Sequence, residues 1–369
     1  MVMGAVVMDN NGAARPAESN MPFWHKRDLT PCLGCRGCGD YETCGGLAVD
    51  FAAYDCTFFC RCTDPAKCDI PCIRNMRLLR ARMDEVNGWE LENVPRTKVR
   101  GLVPLPATIP ILFNKNRRLD RLQSPAIAVR LRDLFSEKTG KLKFATRQQL
   151  ADRFRFEPNS QLVIIGVSED LPLELYWERA RENGFPDSLL AFEPALVTAP
   201  NFSLFNNVPR WDNLHSMKRI ALCWREMVEA GLRASLHINA RTDKDYSRWA
   251  EFIVSRDEVQ SITFEFGTGA GIPARSRWHV DHLCALGDRT GGRLQLILKG
   301  GREFIGVLTP HFAQAVFLDS SSFMKAVSRK VMGIRNGKPV WDDAITLRGQ
   351  SVDALLQHNV DTNALLHSS

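Results

Sequence analysis

Short apolar runs alternate with longer amphipathic stretches along most of the chain. Runs of strand length fall at 109–113, 162–167, 196–199, 234–239, 261–266, 294–298 and 315–318, and 126–131 offers an eighth. Between them, 213–230 places Leu214, Met217, Ala221, Trp224 and Val228 on one helical face, and 246–255 does the same with Trp249, Phe252 and Ile253. Asp212 and Asp245 read as N-caps of these helices, and Gly231 as the stop after the first. Strands buried on both faces read as continuous apolar runs, as 162–167 and 294–298 do, and regular alternation with helices requires parallel pairing through crossovers. Seven or eight such units predict an α/β fold of the parallel β/α-barrel (TIM-like) kind, complete or partial.

The rhythm also divides the chain. Residues 1–30 are small and polar and read as a flexible tail; 31–75 form a cysteine-rich module; 76–105 hold a helix and linker; 106–332 carry the barrel; 333–369 read as an appendage. With 369 residues and 44% hydrophobic content the chain can bury a full core. No run reaches the ~18 apolar residues of a membrane-spanning helix, and the first residues lack the pattern of a secretory signal, so a cytoplasmic protein with no membrane partner is expected.

Composition becomes informative at the cysteines. Of 11, nine (Cys32, Cys35, Cys38, Cys44, Cys56, Cys60, Cys62, Cys68 and Cys72) fall within 41 residues. Thiolates bunched this closely in a reducing compartment are expected to hold metal, and the scarcity of apolar periodicity there fits a segment ordered by ligation. Zinc ribbons pair two separated C-x2-C knuckles, whereas Cys56 to Cys72 contains none, so an iron–sulfur cluster, [4Fe–4S] in type, is the leading expectation and zinc the alternative. The piece Cys35-x2-Cys38-x5-Cys44-Gly45-Gly46 resembles the auxiliary [4Fe–4S] domains attached to radical-SAM peptide-modifying enzymes, a resemblance that implies cluster binding and not radical chemistry. Cys223 and Cys284 read as packed thiols.

In parallel β/α folds the chemistry gathers at the carboxyl ends of the strands. Those ends carry Asn201 and Ser203, His237 and Asn239, Arg241 and Asp243, Glu265, Lys299 with Gly300 and Gly301, and Asp319 followed by three serines. Glu265 and Asp319 are the expected catalytic carboxylates, because a charge ending a buried run is costly unless it has a partner or a task. Lys299 with its glycines is expected to hold an anionic group. His279 and His282 read as a solvated face.

Charge is uneven. Residues 74–147 carry 17 Lys/Arg against 7 Asp/Glu, a net of +10, while the whole chain is +6. Nucleic-acid phosphates are therefore an expected partner, with Arg77, Arg80, Arg82, Arg117 and Arg118 as the contacts. The segment Pro200-Asn201-Phe202-Ser203, continuing through Leu236-His237-Ile238-Asn239 to Phe264-Glu265-Phe266-Gly267, resembles an uncharacterised bacterial and phage domain family marked by a Pro-Asp-Phe-Ser-like segment, over about 160–325, with Asn201 in place of that Asp. Phe317-Leu318-Asp319 at a final strand is more distantly similar to queuine-type transglycosylases, which implies a nucleophilic role for Asp319. Together these features predict an enzyme acting on a nucleic-acid or phosphorylated substrate; the alternative is a non-catalytic nucleic-acid- or partner-binding protein with a structural zinc module.

Overall fold

A computed structural model of the chain describes residues 76–114, 118–205, 210–271, 273–346 and 349–366. The nine clustered cysteines and Arg117 lie outside the described residues. The described chain divides into two compact units.

The larger unit holds Arg96–Asn201, Cys223–His237 and the chain from Arg256 onward. Its centre is a closed, all-parallel barrel of eight strands in sequence order. The strands are β1 Thr108–Leu112, β2 Ala126–Arg130, β3 Gln161–Ile165, β4 Leu196–Thr198, β5 Ala234–His237, β6 Ser261–Glu265, β7 Gln295–Lys299 and β8 Gln314–Asp319. All eight apolar runs are strands of this barrel, including the one at 126–131. The connections carry the helices α2 Arg147–Phe154, α3 Arg210–Glu229, α4 Asp243–Val254 and α5 Pro273–Arg289, and α6 Ser321–Val327 follows β8.

Alternation along each strand sorts side chains between the barrel interior and the outer face. Ile109, Ile111, Ala126, Ala128, Val163, Ile165, Leu196, Ile297, Val316 and Leu318 pack together inside. On β5 and β6 the same inner rows hold hydroxyls: Ser261 and Thr263 both donate to Ser235 Oγ, at 2.9 and 2.7 Å. At the amino ends, Gln295 and Gln314 hydrogen-bond each other at 2.7 Å, and each caps a carbonyl of the incoming 103–105 segment.

Beyond β8 the chain forms a two-stranded antiparallel sheet, β9 Lys330–Arg335 with β10 Lys338–Asp343, and a last helix, α7 Asp353–Leu365. This part is bound to the barrel. Asp353 at the start of α7 accepts from Arg118 Nε at 2.8 Å and from the N–H groups of Leu119 and Asp120 at 2.8 and 3.1 Å.

The smaller unit, as far as it is described, comprises α1 Met76–Glu85 and the chain to Pro95, Phe202–Leu222 and Ile238–Ser255. His215 Nε2 lies 3.0 Å from Glu85, buried Lys218 donates to the Glu90 carbonyl, and the Arg219 guanidinium lies 4.0 Å over the Phe202 ring. Asp245 is not the cap of α4. Thr242 is, in a capping box with Asp245 at its third position. Likewise Asp212 sits inside the first turn of α3, which starts two residues earlier. Gly231 does end α3, with a φ of 103° that suits glycine. No helix among the described residues is long and apolar enough to cross a membrane.

Candidate active site at the carboxyl-end mouth of the barrel

Three neighbouring strands end in polar side chains on the inner face. His237 continues the inner row of Ser235, Glu265 that of Ser261 and Thr263, and Lys299 that of Gln295 and Ile297. Glu265 and Lys299 are register partners on β6 and β7, and their side chains form an ion pair. Asn201, beyond β4, donates Nδ2 to the other Glu265 oxygen at 3.0 Å. Its own Oδ1 accepts the Ser168 N–H at 3.1 Å, which fixes the amide with its donor side towards the carboxylate. Each oxygen of Glu265 thus has one donor, and a lone pair remains on each.

The local sequence keeps this carboxylate clear. A Cβ at Gly267 would stand 2.9 Å from the Glu265 carboxyl carbon, so a side chain there would press on it. Gly300 and Gly301 have φ of 74° and 65°, and a Cβ on either would run into Phe266, at 2.7 and 2.4 Å. The double glycine after Lys299 is therefore required by a tight passage of backbone beside Phe266.

His237 is 2% exposed, and its Nδ1 has no hydrogen-bond partner. Burial, reinforced by the Lys299 cation, holds its pKa down to about 3, so the imidazole is neutral around pH 7. A neutral ring with an unused nitrogen beside a lysine and a carboxylate offers a hydrogen bond without adding charge. Sequence reasoning passed over Arg130, at the inner end of β2. It lies 5.0 Å over the Phe113 ring and makes two 2.9 Å bonds to Asp133. The signal was the one that marked Lys299: a basic residue closing an apolar run.

Asp319 does not share the mouth. Val316 and Leu318 face the interior, so alternation turns Asp319 outward with Phe317. It is 1% exposed, accepts the N–H groups of Ser321 and Ser322 at 2.8 and 3.2 Å at the start of α6, and has Arg302 3.8 Å away. Capping and ion pairing account for it, and the nucleophile expected from the transglycosylase likeness is not in place beside Glu265 and Lys299.

Part of the basic segment is spent inside the fold, while Arg96, Lys98, Arg100, Lys138, Lys141 and Lys143 stand exposed. Arg118 is 7% exposed and divides its guanidinium among Asp353, the Phe154 carbonyl at 2.8 Å and the Asp120 carbonyl at 3.3 Å, so it cannot serve as a phosphate contact. Arg121 pairs with Asp152, Arg132 with Glu137 and Glu169, and Arg147 donates to the carbonyls of Pro158 and Ser160. Arg77, Arg80 and Arg82 stand exposed on α1, with Arg80 2.9 Å from Asp84 and Arg82 3.1 Å from Glu85. His279 is fully buried, 4.9 Å from the Phe264 ring, and not on a solvated face.

Among the described residues no group of three or more His, Cys, Asp or Glu is placed to hold a metal ion. No family model matches the sequence, and no curated protein matches it. Taken alone, the mouth presents a carboxylate that can accept a proton, an ammonium that can pair with the resulting anion, and a neutral imidazole that can orient a substrate oxygen.

Proposed function

We propose that the chain is a β/α-barrel enzyme whose reaction takes place at the carboxyl-end mouth, with Glu265 as the proton-transferring carboxylate, Lys299 as the group that pairs with substrate negative charge, and Asn201 and His237 as positioning groups. One observation carries the reading: Asn201, His237, Glu265 and Lys299 come together at the carboxyl end of the barrel, above the hydroxyls of Ser235, Ser261 and Thr263, and the most buried of the four has an unused nitrogen. An unpaired buried polar atom costs about 1–3 kcal/mol, which a hydrogen bond from a substrate to His237 would recover. The substrate class that suits Lys299 is phosphorylated, and a nucleic acid is its larger form; in the smaller unit, Arg77, Arg80 and Arg82 are exposed cations of the kind that meet phosphates. A melting-temperature screen of the full chain against phosphorylated sugars, nucleotides and short oligonucleotides tests this. A saturable rise that disappears in Lys299→Met and Glu265→Gln is the expected result. Hits that persist in both variants place the binding elsewhere, and response to oligonucleotides alone, without turnover, favours the binding-protein reading.

The clustered thiols from Cys32 to Cys72 would supply a [4Fe–4S] cluster, with zinc as the alternative; support for this is the spacing of nine cysteines within 41 residues. Anaerobically purified protein is expected to be brown, with broad absorption near ~400 nm. Colourless protein with stoichiometric zinc selects the alternative.

A further inference from the structure

Every loop that leads from a barrel strand to the following helix opens at the carboxyl end, on the same side as the mouth. The connection from β2 to α2, residues 131–146, is such a loop. It carries Lys138, Lys141 and Lys143, all exposed and without an ion pair among the described residues. The acids of the loop are spent within it. Asp133 holds Arg130 through two 2.9 Å bonds, and Glu137 lies 3.3 Å from Arg132, which also pairs with Glu169. Arg179 donates to the carbonyls of Glu137 and Lys138 at 2.8 and 3.5 Å and brings a further cation. Six cations thus meet three carboxylates in this network, and the surplus sits on the three lysines.

The loop is held in one shape. The Ser136 N–H donates to the Lys141 carbonyl and the Lys143 N–H to the Leu134 carbonyl, both at 2.8 Å, and Phe135 pairs with Leu142 across this short ribbon. Phe135 is buried and packs edge-on against Tyr176 and Phe185, at 6.1 and 5.5 Å. Gly140, at a φ of 68°, lies so close to the backbone of Arg179 that a Cβ would stand 2.7 Å from its carbonyl carbon, and Asn183 Nδ2 donates to the Thr139 carbonyl at 3.3 Å. Lys141 and Lys143, two apart on an extended segment, leave it on the same side about 7 Å from each other, close to the separation of successive phosphates in an extended single strand. Like charges fixed on one ribbon repel, and a chain of phosphates relieves that repulsion.

We propose that the β2–α2 loop is the docking surface for an unpaired nucleic-acid strand, whose phosphates meet Lys138, Lys141 and Lys143 at the rim of the barrel. The choice of an unpaired strand rests on the reading of the mouth as the site of reaction: Glu265 and Lys299 lie on the inner row at the strand ends, where a base stacked within a duplex does not reach. The docking itself rests on the loop alone.

The test follows the fluorescence anisotropy of a labelled oligothymidylate with the full chain over a series of salt concentrations. Lys138→Gln/Lys141→Gln/Lys143→Gln removes three phosphate contacts, and it is expected to flatten the slope of log affinity against log salt by about 2 and to weaken binding about tenfold at low salt. Lys98→Gln/Arg153→Gln/Lys338→Gln removes the same charge from other exposed positions of the larger unit and is expected to keep the parent's affinity within about twofold. Circular dichroism establishes that the variants are folded; if the triple loop variant is not, Lys141→Gln decides, with a slope change of about 0.7. No binding by the parent chain, an unchanged slope in the folded loop variant, or an equal loss in both triple variants overturns the proposal. So does a tighter hold on the duplex form, or inorganic polyphosphate bound as well at equal phosphate concentration. Loop-dependent binding that survives in Glu265→Gln and Lys299→Met supports the docking surface even where no reaction at the mouth is found, whereas a Lys299-dependent response to small phosphates with no effect of the loop lysines on strand binding keeps the mouth and removes the docking surface.

Discussion

The Arg118–Asp353 and Lys299–Glu265 ion pairs each join distant parts of the chain, yet they sit in opposite circumstances. The first has side chains 4% and 6% exposed, and Asp353 also takes the Ser351 hydroxyl and two backbone N–H groups. Burial opposes its ionisation, but these donors and Arg118 outweigh burial and hold the carboxyl below its ordinary range. The second pair is 28% and 21% exposed, and Glu265 has a single further donor in Asn201. A charge surrounded by fixed partners is committed to the fold. One with open lone pairs at the edge of water can change partners when a substrate arrives.

This contrast can be broken by removing one member of each pair. Asp353→Ala leaves a buried guanidinium uncompensated and is expected to cost about 3–5 kcal/mol in urea denaturation. A loss below 1 kcal/mol would mean that the outer pair is no more committed than the inner one.

The next effect in size belongs to His237 and depends on pH. Its native pKa of about 3 lies below the unfolded value near 6.5, so the unfolded chain binds the extra proton. Its contribution to stability is therefore complete above pH 6.5 and is lost as pH falls towards 3, at up to about 1.4 kcal/mol per pH unit. His237→Gln should flatten the dependence of stability on pH between 6.5 and 4 by one proton's worth; an unchanged slope would show that the ring is not held neutral.

The smallest effect is expected at the mouth. Lys299→Met and Glu265→Gln should each shift stability by about 1 kcal/mol or less, because a part-exposed pair contributes little. Losses of several kcal/mol would turn the inner pair into a second staple and remove it as the seat of chemistry.

The strands were legible because both of their faces are buried, which leaves an apolar run that turns and helices interrupt. The same property hid which way each side chain points. Leu298 and Leu318 precede Lys299 and Asp319 in similar runs, but Leu298 alternates with interior Ile297 whereas Leu318 is itself interior. With apolar residues on both faces, alternation is invisible until the register of the closed barrel assigns it, and so Asp319 looked equivalent to Glu265. Arg118 was obscured differently. It stands in the charged run Lys115-Asn116-Arg117-Arg118, and its partner is 235 residues away. His237 was visible as a residue but not as an unpaired one, since only the packed interior reveals that its Nδ1 lacks a partner.

The clasp between Asp353 and residues 118–120 also bears on when the molecule can form. During synthesis, β1 and β2 emerge more than 180 residues before β8, and more than 220 before the helix that carries Asp353. Until then Arg118 has no carboxylate, the first strand has one open edge, and the nascent barrel is a curling sheet whose seam is unsealed. Contacts of such long sequence separation slow folding, because the chain must spend loop entropy before any pairing rewards it. Closure of the seam thus waits for β8, and the edge of β1 stays exposed in the interval.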